Sequence, residues 1–432
     1  MVIDIFKTIL REFYEESAIQ STPRELEIAL DSGFVISIIG CRRAGKTTML
    51  RQVIDALLRK GVEKERILFV NFEDERIPRH KDAFDALLLA HAELYPEISA
   101  KNCYYFFDEV QEMPDWELFV RRLHETKSKN IFVTGSNARF LSREIATALR
   151  GRTISYEVYP FSFREFLVHK NIDPQKRDTT KEKALIRKSF EEFISAGGFP
   201  ETIQVNPNLK SRVFRSYLDV MIYRDLIERY DIKNTEVLKA FIMKRLSNVS
   251  KELSVNKTYN ELKSNGFEVS KSSIYKFAEW CEEIFLLFSL PQYHESLVKQ
   301  QGYVKKNYCV DNGLVTYTSF RASQDQGRLF ENAVYIELKR RGKELFYHKD
   351  TKECDFVIVD KDRVLQVIQV SLSMQEPEVR ERELEGLIQA KKRTGAEKAM
   401  ILTLEEEEEA EINGEEVKIL PAIKWFLNSA YP

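Results

Sequence analysis

The chain has 432 residues, 43% of them hydrophobic and 31% charged, and a formal net charge of -2. That length suits about three domains with ordinary cores, and the near-zero charge excludes a globally basic nucleic-acid binder while allowing a local basic patch. Cys41, Cys103, Cys281, Cys309 and Cys354 are odd in number and scattered, which excludes a disulfide framework or a zinc site.

Taken in order, residues 4–17 predict an amphipathic helix, followed by a turn at Ser21-Thr-Pro23 and a second helix from Arg24. The N-terminus lacks the apolar run of a signal peptide, and stretches such as Ile284 to Phe288 are too short to span a bilayer. A soluble, cytoplasmic protein without a membrane partner is expected. The β-branched run Phe34-Val-Ile-Ser-Ile-Ile39 reads as a buried strand. It leads into Gly40-Cys41-Arg42-Arg43-Ala44-Gly45-Lys46-Thr47-Thr48 and then into a helical pattern. Strand, glycine loop and helix are the setting in which Gly-x-x-x-x-Gly-Lys-Ser/Thr holds phosphates. Backbone N–H groups wrap the phosphates and the helix N-terminus adds its positive end. Lys46 would reach the β- and γ-phosphates of a nucleoside triphosphate whose base the sequence does not identify, and the Thr47 hydroxyl would take one position on Mg²⁺.

Further strands are predicted at Ile67–Asn71, Cys103–Asp108, Asn130–Ser136 and Thr153–Val158. Five apolar strands alternating with helices predict an α/β fold with a parallel sheet covered on both faces. Asp108 and Glu109 close the third strand, at the end where such sheets bind ligands. Asp108 would hold Mg²⁺, directly or through water, and Glu109 would orient and deprotonate the attacking water.

These motifs resemble those of the AAA+ ATPases. The resemblance implies a polar γ-phosphate sensor at Asn137, with Ser136 as its rival. It implies an arginine finger between the next helix and the fifth strand, where Arg152 is preferred. It also implies that Asn71, at the end of the second strand, restrains Glu109. Tyr159-Pro-Phe-Ser-Phe-Arg164-Glu165-Phe and Gly197-Gly198-Phe-Pro200-Glu201 are similar to segments of a large archaeal and bacterial group of such ATPases. Members of that group carry a winged helix and a nuclease-like C-terminal domain. Read only locally, the two glycines are a bend between helices.

The expected domains are a P-loop AAA+ domain with N-terminal helices over 1–170, a helical lid over 171–236, a winged helix over 237–310 and a restriction-endonuclease-like α/β domain over 311–432. Arg224 or Arg215 in the lid would serve as a second sensor or a surface ion pair. In the winged helix, the third helix opens with Lys271, Ser272, Ser273, Tyr275 and Lys276, and the wing carries Lys305 and Lys306. Short polar and basic groups of this kind suit phosphates and base edges. The last domain resembles the PD-(D/E)xK nucleases, which implies a metal site at Glu331, Asp355 and Gln369. That site is degenerate, because Ser371 stands where the lysine of the motif belongs. Lys391 or Lys392 is the proposed substitute, and cutting is not expected.

Three functions compete: an ATPase that remodels branched or duplex DNA as a homo-oligomer sharing ATP sites, a STAND-type signalling switch, and an ATP-regulated, metal-dependent nuclease. The cofactors expected are ATP and Mg²⁺.

Overall fold

The structure, a computed structural model, describes residues 2–17, 20–136, 149, 151–296, 300, 302–319, 325–361 and 363–428. Two compact units divide the chain, Met1–Val158 and Tyr159–Pro432. The first is built on strands β1 (Val35–Ile39), β2 (Ile67–Asn71), β3 (Tyr104–Asp108), β4 (Ile131–Gly135) and β5 (Thr153–Glu157). Their order is β2-β3-β4-β1-β5 and every pairing is parallel. The inner strands are buried almost throughout, which is why they read as unbroken apolar runs rather than as alternating ones. β5 closes one edge, paired with β1 from Val35 opposite Thr153 to Ile39 opposite Glu157.

Helix α1 (Val2–Glu15) buries Phe6, Ile9, Leu10 and Phe13, one face at helical spacing. The helix expected from Arg24 does not form, and residues 20–29 run as extended coil. Gln52, on α2 (Lys46–Arg59), anchors the start of this segment. Its amide donates to the Thr22 carbonyl (2.7 Å) and the Ser21 hydroxyl (2.9 Å), and it accepts from the Arg24 N–H (3.3 Å). These bonds tie the segment to α2.

In the second unit, the helix Pro207–Val220 continues into a π-helical stretch, Met221–Glu228, that contains Arg224. Next come the helices Thr235–Leu246, Val255–Ser264 and Lys271–Glu283, capped by the side chains of Asn234, Ser254 and Ser270. Strands β6 (Lys251–Leu253), β7 (Leu287–Leu290) and β8 (Lys305–Cys309) form an antiparallel sheet ordered β6-β8-β7. The expected two-stranded wing is therefore part of a three-stranded sheet. β6 is too short to leave a pattern in sequence, and only its pairing with β8 makes it a strand.

The chain then forms the helix Gln326–Arg340 and a six-stranded mixed sheet: β9 (Glu344–Lys349), β10 (Glu353–Asp360), β11 (Arg363–Val370), β12 (Lys398–Thr403), β13 (Glu408–Ile412) and β14 (Glu415–Pro421). The order is β13-β14-β12-β11-β10-β9. The helix Pro377–Thr394 packs Leu384, Leu387 and Ile388 into a core with Val357, Val367 and Ile401. Gly197 and Gly198 do more than bend the chain. They cradle the buried Asp311 carboxylate, which accepts the Gly198 N–H at 2.6 Å and caps the helix Asn312–Thr318 through Gly313 N–H at 2.8 Å. A Cβ on Gly197 would fall 1.9 Å from Asp311 Oδ1, so only glycine fits there.

Among the described residues, no helix is long and apolar enough to cross a membrane. All five cysteines are buried and none is in a disulfide.

Candidate functional site

The loop between β1 and α2 adopts a shape that most side chains refuse. Gly40, Arg43 and Gly45 all have positive φ, at 155°, 68° and 96°. At Gly40 the Val158 carbonyl comes so near that a Cβ would lie 2.1 Å from its oxygen. Gly45 precedes α2 without any side-chain cap, and the first turn of that helix holds no acidic residue. The opening N–H groups of α2 are thus left for an outside acceptor, at the positive end of the helix. Lys46 is buried beneath them, donating to the Cys41 carbonyl at 3.2 Å and lying 3.6 Å from Glu109.

At the end of β3 the acidic pair meets this loop. Thr47 donates to Asp108 Oδ2 at 2.7 Å, and Thr134, on β4, donates to Asp108 Oδ1 at 2.5 Å. The same Thr134 hydroxyl accepts the Glu109 N–H at 2.9 Å. Thr134 therefore fixes both acids, a role the sequence alone does not reveal. Burial pushes the Asp108 carboxyl up, and the Thr134 and Thr47 hydroxyls and Lys46 oppose that shift. Glu109 lies in the left-handed region (φ 49°), which turns its side chain away from the line of the strand. Hydroxyl and carboxylate are hard oxygen donors, and Thr47 with Asp108 fits Mg²⁺ in chemistry and placement.

Three further residues bear on this centre. The amide expected on Glu109 was that of Asn71. Asn71 does stand beside Asp108 across β2 and β3, yet its side-chain oxygen accepts the Glu73 N–H at 2.9 Å in a local turn. Gln111 reaches Glu109 instead, donating to Oε2 at 2.6 Å. Arg24, in the coil held by Gln52, donates to the Ala44 carbonyl within the phosphate loop at 2.8 Å. No spacing in the sequence links Arg24 to that loop. Arg42 pairs with Glu73 at 3.3 Å.

Arg152 stands one residue before β5, at the end of the sheet opposite the phosphate loop, because Val35 N–H donates to its carbonyl. Its guanidinium is about half exposed and pairs with Glu125 at 3.4 Å. Asn137 lies outside the described residues. Ser136, its rival, is buried, and its hydroxyl has no hydrogen-bond partner among the described residues.

In the second unit, the basic residues expected on one surface part company. Lys271, Lys276 and Lys305 are exposed, and Tyr275 between them is 61% exposed. Lys306 is not on that surface. Strand alternation turns it inward from Lys305, and only 2% of it remains accessible. Its ammonium lies 2.8 Å from carboxylate oxygens of Glu331, Glu353 and Asp355. Glu331 and Asp355 thus do come together, as expected, around a lysine that was expected to face DNA.

Asp355 reaches the cluster from an irregularity in the β9–β10 pairing between Cys354 and Val357. Gln369 does not turn its carbonyl oxygen to a metal position. That oxygen accepts the Asp355 N–H at 3.1 Å, and its amide donates to Glu383 at 2.6 Å. Lys391 is occupied with Glu415 at 2.7 Å and so does not complete the site. Burial, and then the neighbouring Asp355 charge, push the Glu331 carboxyl up to about 8 against the pull of Lys306. For Lys306, burial acts downward, but Asp355 and Glu331 outweigh it and hold the ammonium well above its usual range. Among the described residues, no group of three or more His, Cys, Asp or Glu is arranged to hold a metal ion.

Residues 32–167 match the model of an AAA domain. Residues 187–325 and 326–425 match two models described as domains of unknown function, DUF8612 and DUF4143. The chain is 36% identical over 417 residues to the uncharacterized protein MJ1544 of Methanocaldococcus jannaschii, covering 94% of this chain and 90% of that protein. It is 32% identical over 401 residues to an uncharacterized protein of Haemophilus influenzae, covering 92% and 95%. Among solved structures, the Walker-type ATPase PABY2304 of Pyrococcus abyssi aligns with a TM-score of 0.43 at 13% identity, over 73% of this chain and 94% of that one. With an AAA-type phosphate loop at its head and those two domains behind it, the chain belongs to the family of the Methanocaldococcus and Haemophilus proteins.

Proposed function

We propose that the protein is an ATPase of AAA+ type that hydrolyses ATP between subunits of a homo-oligomer and responds to DNA. The observation that carries the ATPase reading is the junction of Lys46, Thr47, Asp108, Glu109 and Thr134 at the C-terminal ends of β1, β3 and β4. Bound Mg²⁺, held by Thr47 and Asp108, would neutralise phosphate charge. The chain's own groups do the rest. Uncapped N–H groups of the loop and α2 bind phosphate oxygens, and Lys46 leaves Cys41 and Glu109 for the β- and γ-phosphates. Glu109, released from Lys46, takes a proton from the attacking water. Ser136, whose hydroxyl has no partner among the described residues, is the described group closest in sequence to the sensor position. Arg152, exposed and at the opposite end of the sheet, suits a neighbour's site better than its own.

Gln111 holds Glu109 away from that task, so the free enzyme turns over slowly and awaits a trigger. DNA is the proposed trigger. The order helix, strand, helix, helix, hairpin over 235–309 is that of a winged helix, and its third helix shows Lys271, Tyr275 and Lys276 to solvent. The helix Gln326–Arg340 and the sheet after it follow the order of PD-(D/E)xK domains, with the catalytic lysine position lost at Ser371. We assign no cutting to it.

The test is phosphate release measured without DNA and with single-stranded, duplex and four-way-junction DNA. Stimulation by one of these is expected, with an affinity that falls as salt rises. Lys276→Glu with Lys305→Glu should reduce the salt slope by about 1 per lysine and leave basal hydrolysis unchanged. Tight nucleotide retention with no response to any DNA would replace this reading with a signalling switch.

A further inference from the structure

The Lys306 cluster has a balance that the ATPase reading does not use. An ammonium has three N–H donors and no acceptor. Lys306 meets three carboxylates, Glu331, Glu353 and Asp355, each at 2.8 Å. The remaining capacity of the acids is partly filled by the protein as well. The Tyr308 hydroxyl donates to Glu331 Oε1 at 2.7 Å, and the Val370 N–H donates to Asp355 Oδ2 at 3.0 Å. Tyr308 is fully buried and Asp355 nearly so. Carboxylate oxygens from the helix Gln326–Arg340 and from two positions of β10 converge here on one cation, hard donors of the kind a divalent metal takes. The cation is part of the chain.

We propose that the Lys306 ammonium is the resident cation of this site, standing permanently where a divalent metal ion would otherwise bind, and that it locks β8 to the helix Gln326–Arg340 and to β10. The acids then keep their convergent geometry without metal, and the six-stranded domain holds its shape at any metal concentration. Two features support permanence over a lysine that steps aside. Lys306 is inside a paired strand, flanked by Lys305 and Asn307 in register with Leu253 and Lys251 of β6, so its backbone has no hinge. Only 2% of the residue is accessible, so the ammonium itself is out of reach of a hydrated metal or a phosphate, and only the Glu353 side chain of the three acids, 35% exposed, faces solvent to any extent. This inference is independent of the ATPase reading, since neither Lys306 nor its partners belong to the phosphate site.

The test uses the full chain without nucleotide and Mn²⁺ as the probe, counted by electron paramagnetic resonance. Wild type and Glu331→Gln are expected to bind the same amount of Mn²⁺, because the cluster is closed to metal in both. The amide introduced by Glu331→Gln would keep the oxygen that Lys306 and Tyr308 bond. Lys306→Met is expected to melt lower than wild type, to take up one additional Mn²⁺ per chain, and to recover part of its melting temperature when Mn²⁺ is added. The additional Mn²⁺ should vanish in the Lys306→Met, Glu331→Gln double variant. A folded Lys306→Met that takes up no additional Mn²⁺ would overturn the proposal. So would wild-type Mn²⁺ binding that Glu331→Gln abolishes, or Mn²⁺-dependent DNA cleavage by wild type that Glu331→Gln abolishes. The wild-type arm decides the matter even if Lys306→Met does not fold.

Discussion

Two regions of this molecule pair a lysine with carboxylates at strand ends, and they finish the pairing in opposite ways. In the first unit, Lys46 lies 3.6 Å from Glu109, and among the described residues the opening N–H groups of α2 have no side-chain cap and the Ser136 hydroxyl has no partner. In the second, Lys306 has three carboxylates at 2.8 Å and a tyrosine completes the set. Spare donors beside a loosely held lysine describe a site waiting for an anion. A lysine with every donor used describes a site already filled. A buried polar group left unmatched is costly, so the first arrangement persists where a ligand repays that cost and the second needs none.

The largest expected effect tests whether the first site is completed from outside. Arg152→Ala should lower phosphate release by about 10³–10⁵-fold, the range known for arginine fingers, with ATP affinity nearly intact. Mixing it with Glu109→Gln sharpens the result, since each variant lacks a different half of a shared site. Partial recovery of hydrolysis is expected in co-assemblies. No recovery in proven co-assemblies would place Arg152 outside catalysis in trans.

Glu109→Gln alone comes next. Removing the base should slow hydrolysis by about 10²–10⁴-fold while fluorescent-nucleotide binding survives, whereas Lys46→Ala should lose the binding itself. Wild-type turnover by Glu109→Gln would dissolve the contrast between a working acid here and structural acids in the second unit.

A smaller effect is expected at Gln111. Its amide holds Glu109 Oε2 at 2.6 Å, so Gln111→Ala should raise basal hydrolysis severalfold and shrink any stimulation by DNA, with ATP affinity unchanged. A lower rate in both conditions would mean that Gln111 aligns Glu109 for catalysis rather than restraining it.

The smallest effect separates the regions. Tyr308→Phe deletes one donor to a buried carboxylate and should cost about 1–3 kcal/mol of stability, read as a lower melting temperature. Hydrolysis below the melting transition should not change. A fall in ATPase rate in the folded variant would show that the filled cluster serves the open site.

What the sequence by itself determined lies where function depends on consecutive residues. Gly40, Gly45, Lys46 and Thr47 were legible because a phosphate loop works through adjacent backbone groups, and Asp108 and Glu109 because a buried strand is an unbroken apolar run that ends on them. Strands β1 to β4 were legible for the same reason, whereas β5, Thr-Ile-Ser-Tyr-Glu, is not such a run. Tertiary structure decided the matters that depend on which side chain arrives from elsewhere. Thr134 bridges Asp108 and Glu109 only because β3 and β4 are neighbours. Gln111 takes the contact expected of Asn71 because it sits two residues past Glu109 on the turn Val110–Glu112, where its amide N–H reaches Glu109 Oε2. The segment around Arg24 is coil and not the predicted helix, and it is tied to Gln52 on a different element. Lys306 differs from Lys305 by one step along a strand, and that step reverses the face. In sequence the two are the same basic pair; only the three-stranded sheet, whose far face the acids of β10 and the helix Gln326–Arg340 cover, makes one a surface charge and the other a buried cation.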